Sequence, residues 1–198
     1  MDSGLDISLV RENYRKMSDQ ELIQIATQKA SGLTSEALQV VKEEISKRNI
    51  NQNIFKEIDA QRKSYTIEDI DAYCKIIQQL PCPVTRSTSE NLNATIAVEA
   101  RSFLVLTQYR KKLVIASPGV LDKANNAALG NSLLMGWWGL PWGIIRTIQA
   151  ITINLKNKRS NHLDAPNKYL KAFVMSKIGL IETYKDNPER LSEIISGR

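Results

Sequence analysis

One histidine and two cysteines in 198 residues exclude more than the abundant residues establish. Cys74 and Cys82 cannot build a disulfide framework or a four-thiolate metal site, and a reducing compartment is the natural reading. With His162 alone, H-E-x-x-H zinc hydrolases and every site needing two imidazoles drop out. A Ser-His-Asp or Cys-His catalyst would hang entirely on that residue. No Walker A loop, G-x-G-x-x-G or G-x-S-x-G string occurs. Glu68, Asp69 and Asp71 cluster where a helix start explains them without chemistry. The chain is therefore expected to be no enzyme and to need no cofactor or metal. Residues 1–17 lack the apolar run of a secretory signal, so the N-terminus is expected to start in the cytoplasm. There is no internal repeat and no low-complexity run.

What is present is a composition able to fold, 42% hydrophobic and 24% charged, enough for one domain or two small ones. The net charge of +6 is unevenly spread. Residues 1–80 carry 11 basic and 13 acidic side chains; residues 81–198 carry 16 and 8. Between Ala100 and Lys177 there are 12 basic residues against Asp122 and Asp164 alone. Such a split suggests two parts, the second facing phospholipid head groups, nucleic acid or an acidic protein.

The first part reads as helices. Ser18-Asp-Gln-Glu21 is a capping box with Met17 and Leu22 as its staple, and Gly32 breaks the helix it opens. Thr34 caps a second helix, in which Leu38, Val41 and Ile45 follow the helical period and Asn49 is a left-handed stop. A third covers about Ile54–Gln61. Thr66-Ile-Glu-Asp69 opens a fourth, stopped by Pro81 and Pro83, and the domain boundary is expected there. Leu92–Glu99, Ser102–Gln108 and Leu113–Ser117 then read as three strands of an antiparallel meander, with Tyr109-Arg-Lys-Lys112 as a charged turn. The tail returns to helices at Asp164-Ala-Pro166 and Asn187-Pro188.

Between meander and tail lies the least ordinary stretch. Ala124–Ile145 is 22 residues without a charge, and all three tryptophans fall in Gly136-Trp-Trp-Gly-Leu-Pro-Trp-Gly143. Tryptophan settles where apolar meets wet. The glycines and Pro141 argue against one continuous helix, and four Asn and Ser residues weaken a straight span of about 20 apolar residues. A helix–break–helix dipping into one leaflet fits better. Trp137, Trp138 and Trp142 would lie at the head-group level with Arg146 snorkelling outward. Arg110, Lys111 and Lys112 before the segment and Lys156, Lys158 and Arg159 after it would meet an anionic membrane surface, at about 1 kcal/mol per basic residue near the lipid. The competing reading makes the segment the core of a soluble domain. Nucleic acid ranks below both, because no RRM, KH or helix-turn-helix signature accompanies the basic turn.

Leu92-Asn-Ala-Thr95, Ser102-Phe-Leu-Val-Leu-Thr107, Asp122-Lys-Ala-Asn125 and Gly136–Gly143 with Thr147-Ile-Gln-Ala150 resemble a group of uncharacterised bacterial proteins. In these a zinc-ribbon-like knuckle pair precedes a G-W-W-G-x-P-W-G hydrophobic segment. The resemblance covers about residues 82–155 and implies a membrane-proximal module, with no activity to carry over. In Cys82-Pro-Val-Thr85 and Ser117-Pro-Gly-Val120 it implies a degenerate ribbon that has lost its zinc, since Thr85, Ser117 and Val120 stand at three of the four ligand positions. The expectation is an α+β chain: a helical N-terminal domain over 1–80, then a β-meander, a Trp-rich helical segment and a helical tail over 81–198. The expected role is a membrane-associated interaction or scaffold protein on the cytoplasmic side with an unidentified protein partner. The alternative is a soluble protein-binding module, an adaptor or a toxin-neutralising protein.

Overall fold

Capping chemistry sets the first helices of the computed structural model, which describes residues 7–50, 53–104 and 106–197. α1 spans Ile7–Lys16 and α2 Asp19–Gln28. Ser18 Oγ accepts the Glu21 N–H, while the Glu21 carboxylate accepts the Ser18 N–H at 2.7 Å, closing the capping box. A single 3-10 turn, Ala30–Gly32, follows. Thr34 caps α3, Ser35–Lys47, and Asn49 takes the left-handed conformation at φ 53°. α4 covers Asn53–Arg62. Ala26, Leu38, Val41, Ile45 and Ile58 close one core. Arg48 ties its edge together: the guanidinium donates to the Met17 and Arg15 carbonyls and pairs with Asp19 and Glu44.

α5, Ile67–Gln78, is followed by strands β1, Asn93–Phe103, and β2, Leu106–Ala116. They form a two-stranded antiparallel sheet from Asn93↔Ala116 to Phe103↔Leu106. The expected three-stranded meander is thus one long hairpin. Tyr109–Lys112 is no turn but the middle of β2, with Arg110 opposite Glu99. Arg110, Lys111 and Lys112 are all exposed, so a strand accommodates them, and such charges deter pairing at an open edge. The reversal comes after Phe103, where Leu104 has φ 52°. Tight hairpin turns of that sign favour Asn and Gly, and Ser102–Thr107 contains neither, so nothing in the sequence marked the turn.

α6, Pro118–Met135, and α7, Trp142–Asn161, pack on β1. The chain between them turns at residues 136–141, giving the expected helix–break–helix. Among the described residues no helix is long and apolar enough to cross a membrane. The remaining helices are α8, Lys168–Ser176, α9, Ile178–Tyr184, and α10, Pro188–Ser196. α8 starts later than the Asp164-Ala-Pro166 signal because Asn167 is its cap, accepting the Tyr169 and Leu170 N–H groups.

A two-stranded sheet leaves each strand with a free edge, and the free edge of β1 is buried. Its backbone groups need partners there, and helix side chains supply them. Asn154 accepts the Val98 N–H at 3.0 Å and donates to the Val98 carbonyl at 2.7 Å, as a neighbouring strand would. Asn157 donates to the Ile96 carbonyl and Asn167 to the Ala94 carbonyl. Ser132 accepts the Ala100 N–H and donates to the Ala128 carbonyl. Asn125 extends the network, accepting from Thr95 and Asn161 and donating to Asn154.

Two compact units result. One runs to Thr66 and takes in Met175–Asp186; the other comprises Ile67–Val174 and Asn187–Arg198. The boundary therefore falls at Thr66 rather than around residue 81. Pro81 and Pro83 follow α5, but α5 belongs with the second unit. The Gln78 side chain donates to the Asp164 carbonyl, the Leu92 N–H to the Gln78 carbonyl, and Lys171 pairs with Asp71 at 2.6 Å. Cys74, on the buried face of α5, behaves as a small hydrophobe: burial pushes its thiol up to about 11.

Candidate membrane-contact surface

Three glycines shape the end of the second unit. A Cβ on Gly136 would collide with the Ser132 carbonyl and the Thr147 hydroxyl. One on Gly139 would lie 2.8 Å from Thr107 Oγ1, and one on Gly143 would lie 2.8 Å from Ser102 Oγ and from the Gly136 carbonyl. The glycines thus face inward and let the 136–141 turn press against the hairpin, where Leu104 and Gly139 form an isolated bridge. Gly136→Ala is expected to lower stability by about 1–3 kcal/mol, read as a lower urea midpoint at unchanged m. Gly130→Ala, where a methyl meets open space, is the control and should be neutral or slightly stabilising.

With the glycines inside, the large residues between them face out. Trp138 is 71% and Leu140 74% exposed, and Trp137 and Trp142 are exposed too. The same inversion runs into both helices. α7 buries Gly143, Thr147, Ala150, Asn154, Asn157 and Asn161 and exposes Ile144, Ile145 and Ile148. α6 buries Asn125, Ala128 and Ser132 and exposes Leu133, Leu134 and Met135. The hairpin adds Phe103, Leu104 and Leu106. Side chains of this size and exposure sum to on the order of 1,000 Å², against roughly 300–600 Å² for the largest apolar patch of an ordinary monomer.

This end carries no charge over residues 102–109 or 124–145. Charge appears just behind it. Arg146 lies one helical turn from Trp142, about 6 Å along α7. Its guanidinium stacks over the Tyr109 ring at 5.2 Å and donates to Gln149 Oε1 at 3.1 Å. Burial raises the Tyr109 phenol above its usual range, with Arg146 opposing. Arg110 is four strand residues behind Leu106, about 13 Å back. Arg101, paired with Glu99 at 3.0 Å, lies opposite Gln108, about 7 Å back on β1.

The structure thus brings Trp137, Trp138, Trp142, Arg146 and Arg110 to one end, but not the whole basic set. Lys112 lies about 20 Å back along β2. Lys156, Lys158 and Arg159 lie roughly 21–25 Å from Trp142 along α7, and Lys158 donates to Asn126. With a screening length of about 8 Å at physiological salt, these lysines and Arg159 add little to charge at the apolar end. Lys111 stacks on Tyr109 at 5.8 Å, between the two levels. Sequence reading missed Arg101 and the hairpin residues Phe103, Leu104 and Leu106, because an apolar run reads as a buried strand until its reversal is known.

The two Pro turns that bracket the hairpin meet at Cys82. The Ser117 N–H donates to Cys82 Sγ at 3.5 Å. Burial pushes this thiol up, but hydrogen bonds from the Thr85 hydroxyl and from the Thr85, Ser117 and Val84 amides outweigh it and hold it at about 6. Among the described residues no group of three or more His, Cys, Asp or Glu could hold a metal ion. The folded value lies below that of a free thiol, about 8.5. Between those values the unfolded chain binds the extra proton, so stability must rise with pH across about 6 to 8.5 and the contribution is lost as pH falls through 6. Urea midpoints of the native chain are expected to climb over that window, and those of Cys82→Ser to stay flat.

His162 and Asp122 form a pair of their own at the opposite end of α7, Nε2 to Oδ2 2.9 Å. Asp122 also accepts from Asn161. Burial raises the Asp122 carboxyl, but these hydrogen bonds hold it below its usual value. Compared with known families, curated proteins and solved structures, the chain matches none.

Proposed function

We propose that this chain is a non-catalytic, membrane-associated protein whose second unit docks end-on to an anionic bilayer at its cytoplasmic face. One observation carries the reading: at the Trp-rich end the fold is inside out, with Asn, Ser, Thr and Gly packed inward and Trp, Leu and Ile outward. Buried small and hydrogen-bonded residues with apolar side chains outside is the pattern that suits a lipid surround. Arg146, Arg101 and Arg110 just behind this end, with no acidic residue over 102–109 or 124–145, support an anionic lipid partner. An end-on insertion of about 5–10 Å buries the tryptophans and the hairpin tip and leaves Arg146, Arg101 and Arg110 among the phosphates.

The first unit, with its own core, is then the part free to recruit a protein partner, which makes the chain an interaction or scaffold module. The meeting of both Pro turns on Cys82 supports reading them as a knuckle pair without its metal. Flotation of the full chain with vesicles tests the proposal. Binding to phosphatidylcholine–phosphatidylglycerol vesicles, with a blue shift of tryptophan emission, is expected. A chain that stays at the bottom of the gradient with unshifted emission overturns it and favours a soluble protein-binding module.

A further inference from the structure

The apolar end is not a smooth cap. A cavity of about 380 Å³ opens where β2 leaves the hairpin turn and α7 begins, lined by Leu106, Thr107, Trp142 and Arg146. We propose that this groove binds the phosphate group of a single glycerophospholipid, with its glycerol and acyl portion running outward between Leu106 and Trp142. The inference rests on the membrane reading above and names the lipid group that the end-on surface holds.

The lining changes character with depth. Leu106 and Trp142 are exposed at the outer end. Arg146 lies about one helical turn behind Trp142, some 6 Å, which matches the step from the acyl boundary to the phosphates when the apolar end is inserted. Arg146 is held before any ligand arrives, by the Tyr109 ring beneath it and Gln149 Oε1 beside it. One contact to Gln149 uses one of five guanidinium donors, and among the described residues no carboxylate pairs with Arg146. Glu99, the acid on the neighbouring stretch of β1, is already engaged by Arg101 and Asn131. A planar fork with spare donors and no anion takes a phosphate by two parallel bonds, which an ammonium cannot reproduce.

Thr107 supplies the second polar contact. Its hydroxyl lies 3.1 Å from Ser102 Oγ. With Ser102 donating, Thr107 keeps its proton for a phosphate oxygen. Gly139 and Gly143 let the turn's backbone close against this hydroxyl pair, since a Cβ on either would fall on it, and Thr107 still lines the groove. The same chemistry would serve free phosphate, but Leu106 and Trp142 contribute only if the ligand has an apolar continuation.

The test uses the full chain and dihexanoyl-phosphatidylglycerol below its micelle concentration, followed by isothermal titration and by the Arg146 Nε–H resonance. Saturable binding that shifts this resonance is expected. Arg146→Lys and Arg146→Gln should both weaken it tenfold or more, and Thr107→Val a few-fold, all with unchanged circular dichroism. Inorganic phosphate should compete only at concentrations at least tenfold higher. Equal competition by inorganic phosphate overturns the lipid assignment, and so does an Arg146→Lys variant that binds like the native chain, since charge alone would then suffice. If short-chain lipid leaves Arg146 unmoved while the native chain still floats with vesicles, the groove is wrong and end-on docking stands. If the native chain does not float either, the docking reading itself has failed.

Discussion

Trp137, Trp138 and Trp142 replaced together by serine are expected to release the chain from anionic vesicles while leaving it folded. None of the three indoles belongs to the buried core, so the loss is confined to surface packing of Trp137 and the Trp138 hydrogen bond to the Leu134 carbonyl, and the far-ultraviolet spectrum should not change. If insertion buries about half of what each indole shows to solvent, each contributes about 1 kcal/mol at roughly 25 cal/mol per Å², and the three about 3 kcal/mol. That is roughly a hundredfold in partitioning, enough to move the protein from vesicle to buffer in flotation. The end-on geometry adds a second expectation. Phe103→Ser with Leu106→Ser, on the hairpin tip, should weaken binding as well, because the bridge between Leu104 and Gly139 puts both tips at one level. An in-plane 124–155 segment acting alone would be indifferent to the hairpin. Unchanged flotation of the tryptophan variant would sink the docking surface outright.

Several parts of this arrangement were legible in the residues because they rest on local chemistry. Ser18 and Glu21, Thr34, and Asn49 act on backbone within a few positions, and each does what its spacing predicted. The break between α6 and α7 was readable from Gly136, Gly139 and Pro141 for the same reason. The rest depends on contacts far apart in sequence. The hairpin was split wrongly because its reversal at Leu104 uses no turn residue and its charged middle mimics one. The boundary was misplaced because the prolines after α5 are visible, while Asp71–Lys171 and Gln78–Asp164 are not. The level of Lys156, Lys158 and Arg159 needed the direction of α7, which composition does not contain. The inversion of α7 was the deepest omission. Asn154, Asn157 and Asn161 recur at helical spacing, yet an asparagine stripe reads as a solvated face unless an unpartnered strand edge awaits it.

That edge is where the largest loss of stability is expected. Asn154 is fully buried and makes three hydrogen bonds, two to Val98 and one from Asn125 Nδ2 at 3.2 Å. Asn154→Leu keeps the volume close to native but strands the Val98 N–H, the Val98 carbonyl and the Asn125 amide away from water. A buried polar group left without a partner costs about 1–3 kcal/mol. Partial relaxation and sharing within the Asn125–Asn161 network reduce the sum, so about 3–5 kcal/mol is expected. A loss of that size is a large share of the roughly 5–15 kcal/mol that a domain holds in reserve. Asn154→Asp separates hydrogen bonding from packing. It keeps the acceptor for the Val98 N–H but turns the donor facing the Val98 carbonyl into a second acceptor and buries a charge, so it should be no milder at neutral pH. Protonation restores a donor, and the aspartate variant should therefore regain stability relative to Asn154→Leu as pH falls toward 4, measured as urea midpoints of each variant against the native chain at the same pH. Asn126→Leu, on the exposed side of α6, is the matched control and should change little, since Asn126 there is exposed and accepts from the flexible Lys158 side chain. If Asn154→Leu melted with the native chain, β1 would have another source of edge partners, and the helices would be packed on the hairpin by apolar contact alone.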